Sequence, residues 1–162
     1  MENTRTRPES FFMKKTYITK SEAETLALGE RIAKTLKGGE VIGLSGELGA
    51  GKSVLVRGIA RGLGITKPIT SPTFTIMNVY LVRGNKRGIK QFVHVDGYRL
   101  SRFEELRDIG LAEHLFHPES VVCVEWAEKF SELIRDGRLL KIGLSYGKGS
   151  PSERRIIIHN HA

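Results

Sequence analysis

Residues 41–53 read Val41-Ile42-Gly43-Leu44-Ser45-Gly46-Glu47-Leu48-Gly49-Ala50-Gly51-Lys52-Ser53. The last eight satisfy G-x-x-x-x-G-K-[ST], the phosphate-binding loop pattern, at every fixed position. Glycines let the backbone wrap closely around a phosphate with several N–H groups pointing inward. A lysine ammonium reaches the terminal phosphates as a point charge, and a serine hydroxyl ligates Mg²⁺. The flanks fit this reading. The five residues before Gly46 form a short apolar run, as a buried strand does, and Val54, Leu55, Ile59, Ala60 and Leu63 recur at helical spacing after the loop. Gly62 and Gly64 can end that helix. A phosphate in the loop then meets a helix N-terminus and the positive end of its dipole. The expected cradle is Gly46, Glu47, Leu48, Gly49, Ala50, Gly51, Lys52, Ser53 and Val54, with Lys52 as the catalytic cation. The alternative is a Gly-rich turn with no ligand.

Working outward, Thr16-Tyr17-Ile18-Thr19 reads as an edge strand. Ser21 and Glu24 form a Ser-x-x-Glu capping box, and Leu26, Ile32, Ala33 and Leu36 continue a helical face up to Gly38-Gly39. After the loop and its helix, residues 70–73 form an extended polar link and residues 74–82 a strand. Gly84-Asn85-Lys86-Arg87-Gly88 is a hairpin tip, and residues 91–95 return as a strand ending at Asp96. Two short helices are expected over 101–109 and 111–116, broken at Gly110 and Pro118. Val121-Val122-Cys123-Val124 is a second wholly apolar run, ending at Glu125-Trp126. Residues 139–146 and 154–159 read as a closing hairpin. With no internal repeat and no linker, residues 13–162 are expected to form one domain, and the polar residues 1–12 a flexible tail.

The composition limits the options. The chain has 162 residues, 40% of them hydrophobic, enough for one globular core, and 27% charged. The net charge of +8 suits an anionic ligand or an RNA-associated partner. A single cysteine, Cys123, excludes an internal disulfide and any cysteine-built metal cluster; it is expected to be a small buried hydrophobe, with no disulfide partner. No apolar stretch has the length of a membrane span, and Phe11-Phe12-Met13 is too short for a signal-peptide core, so the expected compartment is a reducing cytoplasm and no membrane partner is expected.

Three strands are expected to end at a group suited to a phosphate site: one at Gly46, one at Asp96 and one at Glu125. In open α/β sheets, ligands bind outside the carboxyl ends of the strands. An apolar strand ending in an acid resembles a Walker B element. Glu125 is therefore expected to hold Mg²⁺ with Ser53, directly or through water, or to orient the attacking water; the alternative is a helix cap or a surface carboxylate. Asp96 is expected to act as an outer magnesium ligand or to polarise a water, or else to have no direct role.

Four motifs occur in order: GELGAGKS at 46–53, SPTF at 71–74, HVDGYRL at 94–100 and VEWAE at 124–128. Together they closely resemble the bacterial TsaE (YjeE) family, over about residues 16–158. The resemblance implies an α/β P-loop NTPase fold with a central mixed sheet flanked by helices. It implies slow ATP hydrolysis with Mg²⁺ and work beside the TsaD and TsaB proteins in N6-threonylcarbamoylation of adenosine 37 of tRNA, the tRNA being met indirectly through that complex. The family often carries Asp at position 47 and Thr at position 53, and its Asp-x-Tyr-Arg motif maps onto Asp96, Tyr98 and Arg99. By the same mapping, residues 71–73 resemble a switch loop in which Thr73 senses the γ-phosphate, the alternative being an ordinary turn around Pro72. Trp126 would lie near the nucleotide or a partner, or simply pack, and Arg99 would neutralise phosphate or sit in an internal ion pair. His94 reads as a core histidine or one standing behind a ligand, and the other four histidines lack zinc-ligand spacing.

Three rivals are weaker. A small-molecule P-loop kinase needs an Arg-rich lid, and residues 101–120 hold few arginines. A GTPase needs N-K-x-D, and Asn85-Lys86 is followed by Arg87-Gly88. A basic RNA-binding module is favoured by charge alone, without an aromatic signature.

Overall fold

The computed structural model describes residues 13–72 and 74–160, with the side chain of Met13 left aside. The expected tail at 1–12 and the expected phosphate sensor Thr73 lie outside the described residues. In chain order the elements are β1 (Met13–Thr19), α1 (Glu22–Ala33), β2 (Val41–Ser45), α2 (Lys52–Gly62), β3 (Met77–Leu81), β4 (Gln91–Asp96), α3 (Phe103–Asp108), β5 (Ser120–Glu125), α4 (Ser131–Arg135), β6 (Leu140–Tyr146) and β7 (Arg154–Asn160). The strands form one mixed sheet in the order β1-β7-β6-β2-β5-β4-β3. Its centre, β6-β2-β5-β4, is parallel, and β1, β7 and β3 add antiparallel margins. This is the expected P-loop NTPase fold.

Strands β2, β5 and β4 are buried on both faces along most of their length, which explains their largely apolar runs, whereas β6 is buried on one side only. Every residue of β5 is buried. On one face, α1 and α2 cover Ile42, Leu44, Phe92, Val121, Cys123 and Ile142. On the other, the α3 and α4 region covers Val41, Val93, Val95, Val122 and Val124. Each fully buried aliphatic side chain stabilises by about 1.5–3 kcal/mol. Burial raises the Cys123 thiol far above its ordinary pKa, so it is the inert hydrophobe expected. Toward the β1 margin the two faces diverge. Tyr17, Ile156, Ile158, Ile142 and Leu144 pack under the helices. The opposite side of β1-β7-β6 carries exposed Lys14, Thr16, Ile18, Ser145, Arg155 and His159.

Local signals account for most element ends. Ser21 caps α1 by accepting from the Glu24 N–H at 3.1 Å, but Glu24 bonds the Lys20 N–H at 2.7 Å instead of that of Ser21, so the capping box closes one residue early. The strand expected over 74–82 begins only at Met77, because the Ile76 N–H turns back to the Pro72 carbonyl and Ile76 takes φ 65°. The helix expected over 111–116 is one 3₁₀ turn, Leu111–Glu113, ahead of Phe116 at φ 57°. The chain beyond Glu125 makes a 3₁₀ turn, Ala127–Lys129, and then α4, neither of them expected from the sequence.

Helix α2 must lie close to α1 to present its first turn at the strand ends, and glycine permits this. A Cβ on Gly58 would stand 2.2 Å from the Leu26 carbonyl oxygen, and one on Gly29 2.5 Å from that of Leu55. These obstacles are backbone and cannot rotate away. Alanine exceeds glycine by about 1 kcal/mol in helix propensity, yet Gly58→Ala is expected to destabilise by about 1–3 kcal/mol through overpacking. A urea unfolding midpoint at or above that of the wild type would show that the helices can separate without loss.

Candidate active site

The parallel register brings three strand ends together. Glu125 stands beside Asp96 on β4 and beside Leu44 on β2, just before the loop. Between β2 and α2 the loop turns on glycines with positive φ: Gly46 at 144°, Gly49 at 80° and Gly51 at 99°. Gly51 is the N-cap of α2, and no side chain caps this end. The first-turn N–H groups are left for a ligand, as an anion site requires.

A cleft of about 440 Å³ opens here, lined by residues 48–54 with Ser71, Asp96, Tyr98, Glu125 and Trp126. The Ser53 hydroxyl donates to the Glu125 carboxylate, 3.0 Å from Oε1 and 3.2 Å from Oε2. His94 Nε2 stands 2.8 Å from the same Oε1. Against a carboxylate that nitrogen is the donor, and His94 Nδ1 is buried without a partner among the described residues. Glu125 and His94 are both buried, so the pair sits where water screens little. Asp96 is half-buried; it accepts from the Tyr98 N–H at 3.0 Å and from the Ser71 hydroxyl at 3.3 Å. It thereby ties the 70–72 link to the strand ends.

Lys52 is only 5% exposed. Its ammonium donates to the Gly46 and Glu47 carbonyls of its own loop. It also lies 3.9 Å from the centroid of the Trp126 ring, a cation–π distance. Desolvation lowers its pKa below the usual lysine value, opposed by the carboxylates of Glu125, Glu128, Asp96 and Glu47. Trp126 holds its place through a left-handed backbone at φ 61° and a tilted contact with Tyr98, centroids 5.1 Å apart.

The structure therefore brings together Lys52, Ser53, Asp96 and Glu125 with the whole loop. The donor set suits a hard cation beside a polyphosphate: a serine hydroxyl and two carboxylates, all oxygen. Arg99 lies elsewhere. It is exposed, makes no ion pair among the described residues, and rests 5.1 Å from the Phe74 ring centroid. The two braces of the loop are not evident from the sequence. Tyr146 donates to the Leu48 carbonyl at 3.1 Å, and Arg154 to the Gly49 carbonyl at 3.2 Å. They lie about a hundred positions from the loop, on β6 and β7, where only the sheet order makes them neighbours. The His94–Glu125 contact had one legible signal, two polar residues near the ends of apolar strands.

The family model described as "Threonylcarbamoyl adenosine biosynthesis protein TsaE" matches residues 19–156. The chain belongs to the TsaE family. Proteins named tRNA threonylcarbamoyladenosine biosynthesis protein TsaE are 42% identical to it in Streptomyces coelicolor, over 81% of this chain and 86% of that one, and 40% identical in Bacillus subtilis, over 75% and 72%. The Nostoc protein of the same name is 35% identical over 91% of this chain and 88% of its own length. A crystal structure of Bacillus subtilis YdiB superposes with a TM-score of 0.71 at 30% identity, covering 95% of this chain and 90% of that one. No helix among the described residues is long and apolar enough to cross a membrane.

Trp126 is the only tryptophan. A polyphosphate that draws Lys52 off its loop carbonyls also draws it off the indole. Titration with a nucleoside triphosphate is therefore expected to shift the emission saturably. Lys52→Ala is expected to alter the emission of the free protein and to abolish the titration. Unchanged emission while dialysis shows nucleotide bound would mean that Lys52 does not move.

Proposed function

We propose that this TsaE-family chain binds ATP and hydrolyses it slowly in tRNA threonylcarbamoyladenosine biosynthesis, working in the cytoplasm beside the TsaD and TsaB proteins. The single observation behind this is the Ser53–Glu125 contact. It joins the loop that would hold the phosphates to the strand-end acid that would hold the cation. The family assignment and the relatives' names support the choice of pathway.

In this reading the loop N–H groups and the N-terminus of α2 hold the β- and γ-phosphates. Lys52 exchanges two loop carbonyls for phosphate oxygens. The exchange favours the bound state, because a buried ammonium meets full anionic charge there and only partial carbonyl charge before. Ser53 and Glu125 would hold Mg²⁺, with Asp96 outside them, and the metal would supply charge neutralisation on the phosphates. Asp96 orients a water at the γ-phosphate, and its bond to Ser71 couples that water to the 70–73 link, where Thr73 would follow the γ-phosphate. His94 keeps the Glu125 carboxylate from rotating away from Ser53.

Slow turnover by the chain alone follows from incomplete charge. Phosphoryl transfer needs positioned positive charge around the γ-phosphate. Lys52 supplies one, and Arg99, turned to Phe74, supplies none in this conformation. A docked partner that adds a cation or reorients the link raises the rate.

Lys52→Ala is expected to lower hydrolysis at least ~100-fold and to weaken ATP binding. Glu125→Gln is expected to lose magnesium-dependent turnover more than nucleotide binding. Both are read by phosphate release and by nucleotide binding, with and without TsaB and TsaD. Wild-type turnover in folded Lys52→Ala would refute the site, and fast hydrolysis indifferent to the partners would favour an independent small-molecule kinase or hydrolase.

A further inference from the structure

We propose that the open side of β1-β7-β6, the side away from α1 and α2, binds the phosphate backbone of an RNA. Lys14 pairs with His159, and His159 with Lys141, across three adjacent strands. Directly opposed residues point to the same side. A lysine, a histidine and a second lysine therefore form one transverse row. The two lysines flank His159 on either side, and a carboxylate in or beside the row would neutralise them. None does: Lys14, Lys141 and Arg155 make no ion pair among the described residues. Four positions along β7, Arg155 lies on the same side, between Ile18 and Ser145. At the border with α4, Arg135, Lys141 and His159 share a cavity of about 380 Å³, in which Glu128 is the only acid among the lining residues. Lys14, Arg135, Arg155 and His159 are exposed, so their charges are available.

A polyanion supplies the negative partners that these cations lack among the described residues. The row extends across strands, so it fits a chain of regularly spaced charges better than a single anion. The rows carry no Phe, Tyr or Trp on which a base could stack, so the contact reads backbone and not sequence. The choice of RNA over an acidic protein rests on the proposed place in tRNA modification; the surface itself does not depend on ATP hydrolysis.

The test is fluorescence anisotropy with an end-labelled tRNA transcript, at several salt concentrations, using the full chain. Two variants lower the net charge equally: Lys14→Glu/Arg155→Glu on this face, and Arg83→Glu/Lys86→Glu on the hairpin tip at the far side of the sheet. All four positions are exposed. The wild type is expected to bind, more weakly as salt rises. The face variant is expected to lose roughly tenfold or more, with the salt slope reduced by about 2, while the tip variant stays within about threefold. Equal losses in the two variants, no binding of tRNA by the wild type at low salt, or displacement of tRNA by polyglutamate as readily as by unlabelled tRNA would each overturn the proposal. ATP hydrolysis is measured on the same samples. Intact hydrolysis with no tRNA binding refutes this face alone, and tRNA binding without hydrolysis refutes only the ATPase reading.

Discussion

A buried carboxylate at the end of the central strand organises the molecule. Removing Glu125 from water costs several kcal/mol unless its oxygens find donors. Its donors come from two other segments: the Ser53 hydroxyl on the first turn of α2 and the His94 ring on the neighbouring strand. Satisfying one acid thereby fixes where α2 begins, how β4 lies against β5, and which way the phosphate loop opens. If Glu125 moved, buried His94 would lose the partner of its Nε2, and if both donors moved, the buried carboxylate would be left without one, a large cost inside a sheet centre that is otherwise mostly aliphatic.

Lys52 is held on the same principle, less tightly. Its ammonium borrows loop carbonyls and the Trp126 ring, none of which carries a full negative charge, while four carboxylates surround it at longer range. These interactions keep the charge in place without matching what an anion offers. The geometry is that of a site poised between occupants, with its cation attached to groups it can leave. Tyr146 and Arg154 brace the loop through its Leu48 and Gly49 carbonyls from the β7-β6 margin of the sheet.

That margin also separates two uses of charge. Around the cleft, acids and the lysine balance one another in a confined volume. On the open side of β1-β7-β6, the lysines and the arginine stand without acids. The net charge of +8 is therefore not spread evenly as a solvating coat; part of it is concentrated on a flat surface whose other side carries the core.

The sequence by itself determined the phosphate loop, the strand before it and the helix after it, because glycine positions and apolar periodicity act over a few residues. It also placed Asp96 and Glu125 at strand ends, Glu125 after an unbroken apolar run and Asp96 after a run interrupted only by His94. Short-range signals misread the stretches where the chain turns on non-glycine residues with positive φ. Ile76 shortened an expected strand, Phe116 accompanied the loss of an expected helix, and Trp126 opened a turn and helix that no pattern announced. Only the tertiary structure decided that His94 serves Glu125, that Lys52 rests on Trp126, that Arg99 points to Phe74, and that Tyr146 and Arg154 brace the loop. Each of these depends on strand order and register, which are set by the packing of the whole sheet and not by the neighbours of any one residue.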